Sequence, residues 1–230
     1  EGTIQVHVVE NYITRQEKIY QIPLSEVGEF RFEFPLEKTT VMRVSHSGQE
    51  LDVYLEPGDA IKILSEGENL RETVAFEGKA ALHNEYLNES TLAFENYSDN
   101  VISEAIIQRN SLNFRKYMDK IRSKKKRFLE DFIAQKEGQF SDDFSIYANT
   151  AIDYWWAYHL MRYRTEHPAG NNLSIPMTLP TEYYDFLRVI ELSNDAALIN
   201  QDYLYFLDLF LAFAKENPRE WPEISQGPDN

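Results

Sequence analysis

The sequence predicts an α+β protein, with an N-terminal antiparallel β-sandwich or partly open barrel followed by an all-α helical region. Three observations carry this. Before Gly78 apolar residues alternate with polar ones, after Gly78 they recur at helical spacing, and turn residues fall between the alternating runs. The boundaries that follow are 1–78 for the β domain, 79–215 for the helical domain and 216–230 for a polar linker or tail.

The β half reads as seven short strands. Ile4, Val6 and Val8 alternate with polar neighbours, and Lys18–Leu24 follows. Phe30, Phe32, Phe34 and Leu36 then alternate with Arg31, Glu33 and Pro35, the pattern of a half-buried strand. Thr40–Ser45, Leu51–Leu55, Ala60–Leu64 and Thr73–Phe76 complete the set. Val27-Gly28-Glu29, Ser47-Gly48-Gln49, Glu56-Pro57-Gly58-Asp59 and Glu66-Gly67 separate them as turns.

The helical half opens with Leu82, Tyr86, Ala93 and Tyr97 on one face. Phe114, Met118, Ile121, Phe128 and Phe132 stripe a long helix from about Ser111 to Lys136. Asp142–Arg164 carries Phe144, Ala148, Ala151, Trp155 and Leu160 or His159, and Pro168 marks its end. A loop spans His167–Leu179, and Thr181 is the expected cap of the next helix. The last helix, Gln201–Lys215, places Leu204, Leu207, Leu211 and Ala214 inward. The Pro-rich end reads as an exit linker, and the Glu1-Gly2 start without Met as a trimmed N-terminus.

Composition narrows the function classes. With 38 acidic and 23 basic residues the net charge is −15, which disfavours nucleic acid and anionic membranes as partners. There is no cysteine, so thiol chemistry is excluded for these residues. No apolar run approaches a membrane span. Fourteen Tyr and fourteen Phe supply core area and suit interfaces, which makes self-association an expectation.

Chemical motifs are few. His7, His46, His83, His159 and His167 lack metal-ligand spacing, so neither metal nor cofactor is expected. Asp52, Glu56 and Asp59 around one turn, and Asp142-Asp143 at a helix start, are read as turn-closing and helix-capping groups. A hydrolase with an unseen carboxylate pair is the weakest functional reading. There is no nucleophile elbow or phosphate-binding glycine loop, so no catalytic residue is assigned and the chain is not read as an enzyme.

Two features remain as contact sites. Arg115, Lys116, Lys120, Arg122, Lys124, Lys125, Lys126 and Arg127 form a basic run, either a dock for an acidic partner or for the acidic halves of a neighbouring copy, or a solvated helix face. Tyr154, Trp155, Trp156 and Tyr158, with Tyr163, form an aromatic run on a helix. Trp155 and Trp156 point about 100° apart, so one of them can line a groove or contact another domain. The contact residues chosen are Trp155, Trp156, Tyr158, Lys124, Lys125 and Arg127.

Three stretches carry a family resemblance. They are Leu24 with Gly28-Glu29-Phe30; Tyr54-Leu55-Glu56-Pro57-Gly58-Asp59 with Ile61-Lys62-Ile63; and Phe76-Glu77-Gly78-Lys79-Ala80-Ala81 with Asn84 and Tyr86-Leu87. Together with Tyr183–Leu187, Asn194 and Tyr203–Leu207, they make the chain resemble the N-terminal, non-catalytic region of TlpA/ResA-type thiol:disulfide oxidoreductases of the bacterial envelope. In that family a Cys-x-x-Cys in a C-terminal thioredoxin domain carries the reaction, and no position here matches it. The resemblance implies an accessory module that positions, or recruits clients for, a thioredoxin-like domain absent from this chain. Its partners would be that domain of the same parent protein and the client proteins. Its place would be the periplasm or outer envelope, with any membrane attachment through a lipid anchor outside this chain. The alternative is a stand-alone envelope binding protein for glycan or peptide that uses the Trp155/Trp156 region.

Overall fold

Strands β1 (Thr3–Asn11), β2 (Gln16–Pro23), β3 (Thr40–His46) and β4 (Gln49–Leu55) pair antiparallel in the order β2-β1-β3-β4. Strands β5 (Ile61–Leu64) and β6 (Ala75–Gly78) form a separate antiparallel ribbon. The computed structural model describes residues 2–67, 69–136, 140–173 and 178–217. The expected tail beyond residue 217 and part of the loop before Leu179 lie outside the described residues. The fold is α+β with an N-terminal antiparallel sheet, as the change of period at Gly78 predicts.

Alternation sets the sheet's faces. Ile4, Val6, Met42, Val44, Leu51, Val53 and Leu55 are buried in one cluster with Leu70, Phe76 and Ala80. Each of these side chains larger than alanine contributes about 1.5–3 kcal/mol by leaving water. On the opposite face Arg43 lies 3.5 Å from both Glu50 and Asp52. Between β3 and β4, Ser47 and Gly48 both adopt positive φ (50° and 78°), the backbone of a tight two-residue hairpin.

Phe30–Leu36 departs from expectation. Its side chains alternate between half-buried and exposed, yet the segment joins no strand ladder. Phe30, Phe32, Phe34 and Leu36 pack against the sheet core, with Phe32 4.8 Å from Tyr20 between ring centroids. Period two reports which face is covered, and Pro35 has no N–H to donate to a ladder. The described residues therefore hold six strands where seven are expected, and a one-turn helix, α1 (Leu70–Thr73), precedes β6.

The longer helices are α2 (Ala81–Ala93), α3 (Asp99–Gln108), α4 (Ser111–Gln135), α5 (Asp142–Gly170) and α6 (Gln201–Glu216). Four of the five expected α4 stripe residues, Phe114, Met118, Ile121 and Phe132, are buried, while Phe128 is half-buried and Leu129 is buried beside it. Helix α3 has no counterpart in the sequence reading. Four expected faces and ends change. In α2 the buried side chains are His83, Asn84, Tyr86 and Asn88, and Ala93 is exposed. In α6 they are Tyr203, Leu204, Phe206, Phe210 and Phe213, while Leu211 is 61% exposed. The larger aromatic area wins the inward face. Helix α5 runs past Pro168, because a proline in the last turn removes one ladder bond and Asn171 and Leu173 close back on the His167 and Pro168 carbonyls. Thr181 begins a 3-10 helix (Thr181–Arg188) whose cap position is Pro180.

The chain forms two compact units that do not divide at Gly78. The first holds the residues up to Ala93 together with Asp131–Phe144; the second holds Phe94–Glu130 and the residues from Ser145 onward. Helix α2 belongs with the strands because its buried amides bond to β4 and to the short helix α1. Asn84 pairs with Tyr54 of β4, and Asn88 Nδ2 donates to the Arg71 carbonyl at 2.8 Å. Among the described residues no helix is long and apolar enough to cross a membrane.

Candidate functional site

In the first unit the residues of the Glu56–Asp59 turn and the Gly78–Asn84 step converge. Pro57-Gly58, with φ +82° at Gly58, reverses the chain so that Asp59 N donates to Glu56 O at 3.0 Å. Asp59 Oδ2 accepts from Glu56 N at 2.9 Å, and Lys79 Nζ lies 2.8 Å from the buried Asp59 carboxylate. Gly78 has φ +107°, and a Cβ there would sit 2.5 Å from the Ala60 carbonyl oxygen, so only glycine lets the ribbon close at this point.

Serine, histidine and a carboxylate also meet there, but not as a nucleophile and its base. Ser141 Oγ bonds to Glu56 Oε1 and accepts from Phe144 N at 3.1 Å, capping α5. His83 Nε2 accepts the Ser141 backbone N–H at 3.2 Å, so it does not face the hydroxyl. Burial lowers the His83 pKa, against the pull of Glu56 and Asp59. Its ring stacks on Phe144 at 4.4 Å. The geometry is that of a helix start anchored to a turn.

In the second unit α5 carries two constellations. The first surrounds Lys125, whose ammonium lies 4.4 Å from the Phe94 ring centroid and 4.7 Å from that of Trp155. Burial lowers its pKa to about 8, and Asp202 opposes that shift. Burial raises Asp202 to about 6, which Lys125 tempers and Asp99 reinforces. His159, edge-on to Trp155 at 4.7 Å, is lowered to about 3 by burial, then by Arg162 and Lys125.

Arg162 organises the other side of this cluster. It is buried, and its guanidinium bonds to Asp99, donates to Ser103 Oγ at 2.6 Å and to Glu166 Oε1 at 2.6 Å, and meets His159 Nδ1 at 2.9 Å. An arginine has no lone pair to offer, so His159 Nδ1 is the acceptor and the ring carries its proton on Nε2. The guanidinium also lies 5.4 Å from the Tyr158 ring, which packs 5.4 Å from Tyr205.

The second constellation surrounds Trp156. Its ring is buried, with Nε1 donating to Asp119 Oδ1 at 2.9 Å and the Arg122 and Arg115 guanidiniums 4.2 and 5.0 Å from its centroid. Arg115 Nε donates to Asp119 at 3.0 Å and Nη1 to the Tyr183 carbonyl at 2.8 Å. Arg122 Nε donates to Asp153 at 2.8 Å. Above this floor lies a cleft of about 310 Å³, lined also by Ser123, Asp185, Phe186 and Val189.

The six expected contact residues therefore separate. Trp155, Tyr158 and Lys125 share the first cluster, and Trp156 lies in the second, as their helical offset requires. Lys124 donates to the Tyr97 hydroxyl at 2.8 Å, and Arg127 is exposed. The basic run divides: Arg115, Arg122, Lys125 and Lys126 turn toward carboxylates and rings, while Lys116, Lys120, Lys124 and Arg127 are exposed. Sequence reasoning missed Asp99, Arg162 and Asp202. A charged residue inside an otherwise apolar helical stretch, such as Arg162 followed four residues later by Glu166, is the available signal.

Among the described residues no group of three or more His, Asp or Glu side chains is placed to hold a metal ion. No protein-family model, curated protein or solved structure matches the chain.

Proposed function

We propose that this chain is a non-catalytic accessory module, the front part of an envelope thiol:disulfide oxidoreductase, which positions a thioredoxin-like domain or recruits its clients. One observation carries the reading. Residues of two of the stretches that bear the resemblance are in mutual contact: Tyr54 with Asn84, Glu56 with Asp59, Asp59 with Lys79, and Gly78 paired with Ile61. Residues scattered through the sequence but joined in one junction behave as a single structural motif, so they bear on kinship more than chance identities do. The periplasm or outer envelope, with a lipid anchor, is the location this reading implies.

The glycan- or peptide-binding alternative draws no support from Trp156, which is 1% exposed beneath the two guanidiniums. Stacking on a ligand needs an open ring face.

The test begins with the reading frame beyond Asn230. A Cys-x-x-Cys thioredoxin domain is expected there. With that domain attached, removal of residues 1–217 should slow reduction of a protein disulfide and leave reduction of a small-molecule disulfide unchanged. A frame that stops at Asn230, or equal slowing of both substrates, would overturn the proposal.

A further inference from the structure

We infer that the cleft over Trp156 is a binding site for a small carboxylate ligand, with amphoteric molecules such as α-amino acids the best-matched class. Two guanidiniums stand at its floor, and both are fixed before any ligand arrives. Arg115 is held by Asp119, the Tyr183 carbonyl and the Phe186 ring at 5.3 Å; Arg122 is held by Asp153 and by Trp156. Holding a guanidinium in place removes much of the entropy cost of recruiting it to a ligand.

The anchoring bonds use only part of each guanidinium. Among the described residues, Arg115 Nη2 and both Nη atoms of Arg122 have no protein acceptor. Planar guanidiniums with unused N–H groups match carboxylate oxygens, and such charge-assisted bonds are among the strong ones. The cleft, about 310 Å³, is at the lower end of the range for small-molecule sites.

The lining selects the charge of the ligand. Arg115 and Arg122 are balanced by Asp119 and Asp185, so the cleft has no surplus positive charge for a polyanion such as a phosphate ester. Asp119 is already engaged by Arg115 and Trp156. Asp185 is 52% exposed and its ion pair, to the partly exposed Arg188 at 3.6 Å, is long, so it is the lining carboxylate that can turn to a ligand cation. A carboxylate beside an ammonium satisfies both signs, and Phe186 and Val189 leave apolar wall for a side chain.

The test is a titration of the whole chain followed through the indole N–H of Trp156 and the Nε–H of Arg122 by heteronuclear NMR. The probes are free amino acids, their N-acetyl forms and their amides. Free acids should shift both signals with saturation at a Kd of about 1 mM or tighter, and N-acetyl forms should bind several-fold more weakly, on the order of 1 kcal/mol. Amides, which lack the carboxylate, should leave both signals still. Arg122→Gln should weaken the free acids by about tenfold or more. Binding of amides equal to that of acids, or no shift with any probe, would overturn the inference. If Arg122→Gln does not fold, the comparison of acids with amides on the unaltered chain decides the matter alone. This site is independent of the accessory-module reading, and either can fail without the other.

Discussion

The side-chain amide of Asn84 pairs with the backbone of Tyr54 in both directions. Oδ1 accepts from Tyr54 N at 2.8 Å, and Nδ2 donates to Tyr54 O at 3.0 Å. At this residue a helical side chain takes the place that a neighbouring strand would fill on the edge of β4. Nδ2 also donates to Ala80 O at 2.8 Å, so one fully buried amide serves three backbone groups.

Asn84→Ala is therefore expected to strand a buried N–H and a buried C=O together, at a cost of about 2–4 kcal/mol. Asn84→Asp keeps the shape and the acceptor but loses both donated bonds, so it should destabilise as well. Thermal unfolding and amide exchange at Tyr54 are the measurements. A Tyr54 amide as protected in Asn84→Ala as in the parent would show that the pairing contributes nothing.

Lys125 and Asp202 should give stability an unusual pH dependence. Lys125 is lowered from 10.5 to about 8 on folding, so the unfolded chain holds the extra proton between these values and stability rises with pH across that window. Asp202 is raised from 3.8 to about 6, so the folded chain holds the extra proton and stability falls as pH rises through that window. Both groups are charged between about pH 6 and 8, and their combined contribution is least favourable there. Asp202→Asn should remove the acid-side slope and lower the Lys125 pKa further, because the opposing charge is gone. Carbon NMR at the Lys125 Cε would report it; an unshifted titration near 10.5 would contradict the burial of this amine.

Replacing Arg162 tests the other half of the cluster. Arg162→Met removes the bonds to Asp99, Ser103, Glu166 and His159. Asp99 is 69% exposed and can rehydrate, so the expected loss is moderate, about 1–3 kcal/mol. The His159 pKa should climb from about 3 but stay below 6.5, because burial is its first cause and Arg162 only the second. In the parent, the neutral His159 contributes stability that is lost as pH falls from 6.5 toward about 3. A His159 titration unchanged by Arg162→Met would rule out the guanidinium as a cause of its low pKa.

The strands were legible because alternation is a direct image of a two-faced sheet, and all four turns read between them carry glycine. The same rule failed at Phe30–Leu36, where alternating rings cover a core without any ladder, since side-chain period says nothing of backbone pairing. In α6 two stripes compete at one spacing, Leu207–Leu211 and Phe206–Phe210, and only the packed partner decides between them. In α2 two of the four inward side chains, Asn84 and Asn88, are amides, which a hydropathy rule sends outward. The clusters were less legible still. Lys125 is one of eight basic residues in its run, and nothing local distinguishes the one that enters an aromatic cage. Asp202 and Asp99 reach it from distant parts of the chain.

The first compact unit is discontinuous in sequence, and this bears on synthesis from the N-terminus. The strands and α2 leave the ribosome well before Phe140, Ser141 and Phe144, whose side chains and backbone meet His83, Glu56 and Tyr54. A nascent chain that ends at Ala93 therefore presents an unfinished core, and the intervening residues must be made before it can be closed. Expression of the strands alone would fix the chain in that half-built state. Any dissection of this protein by truncation should keep Asp131–Phe144 with the sheet.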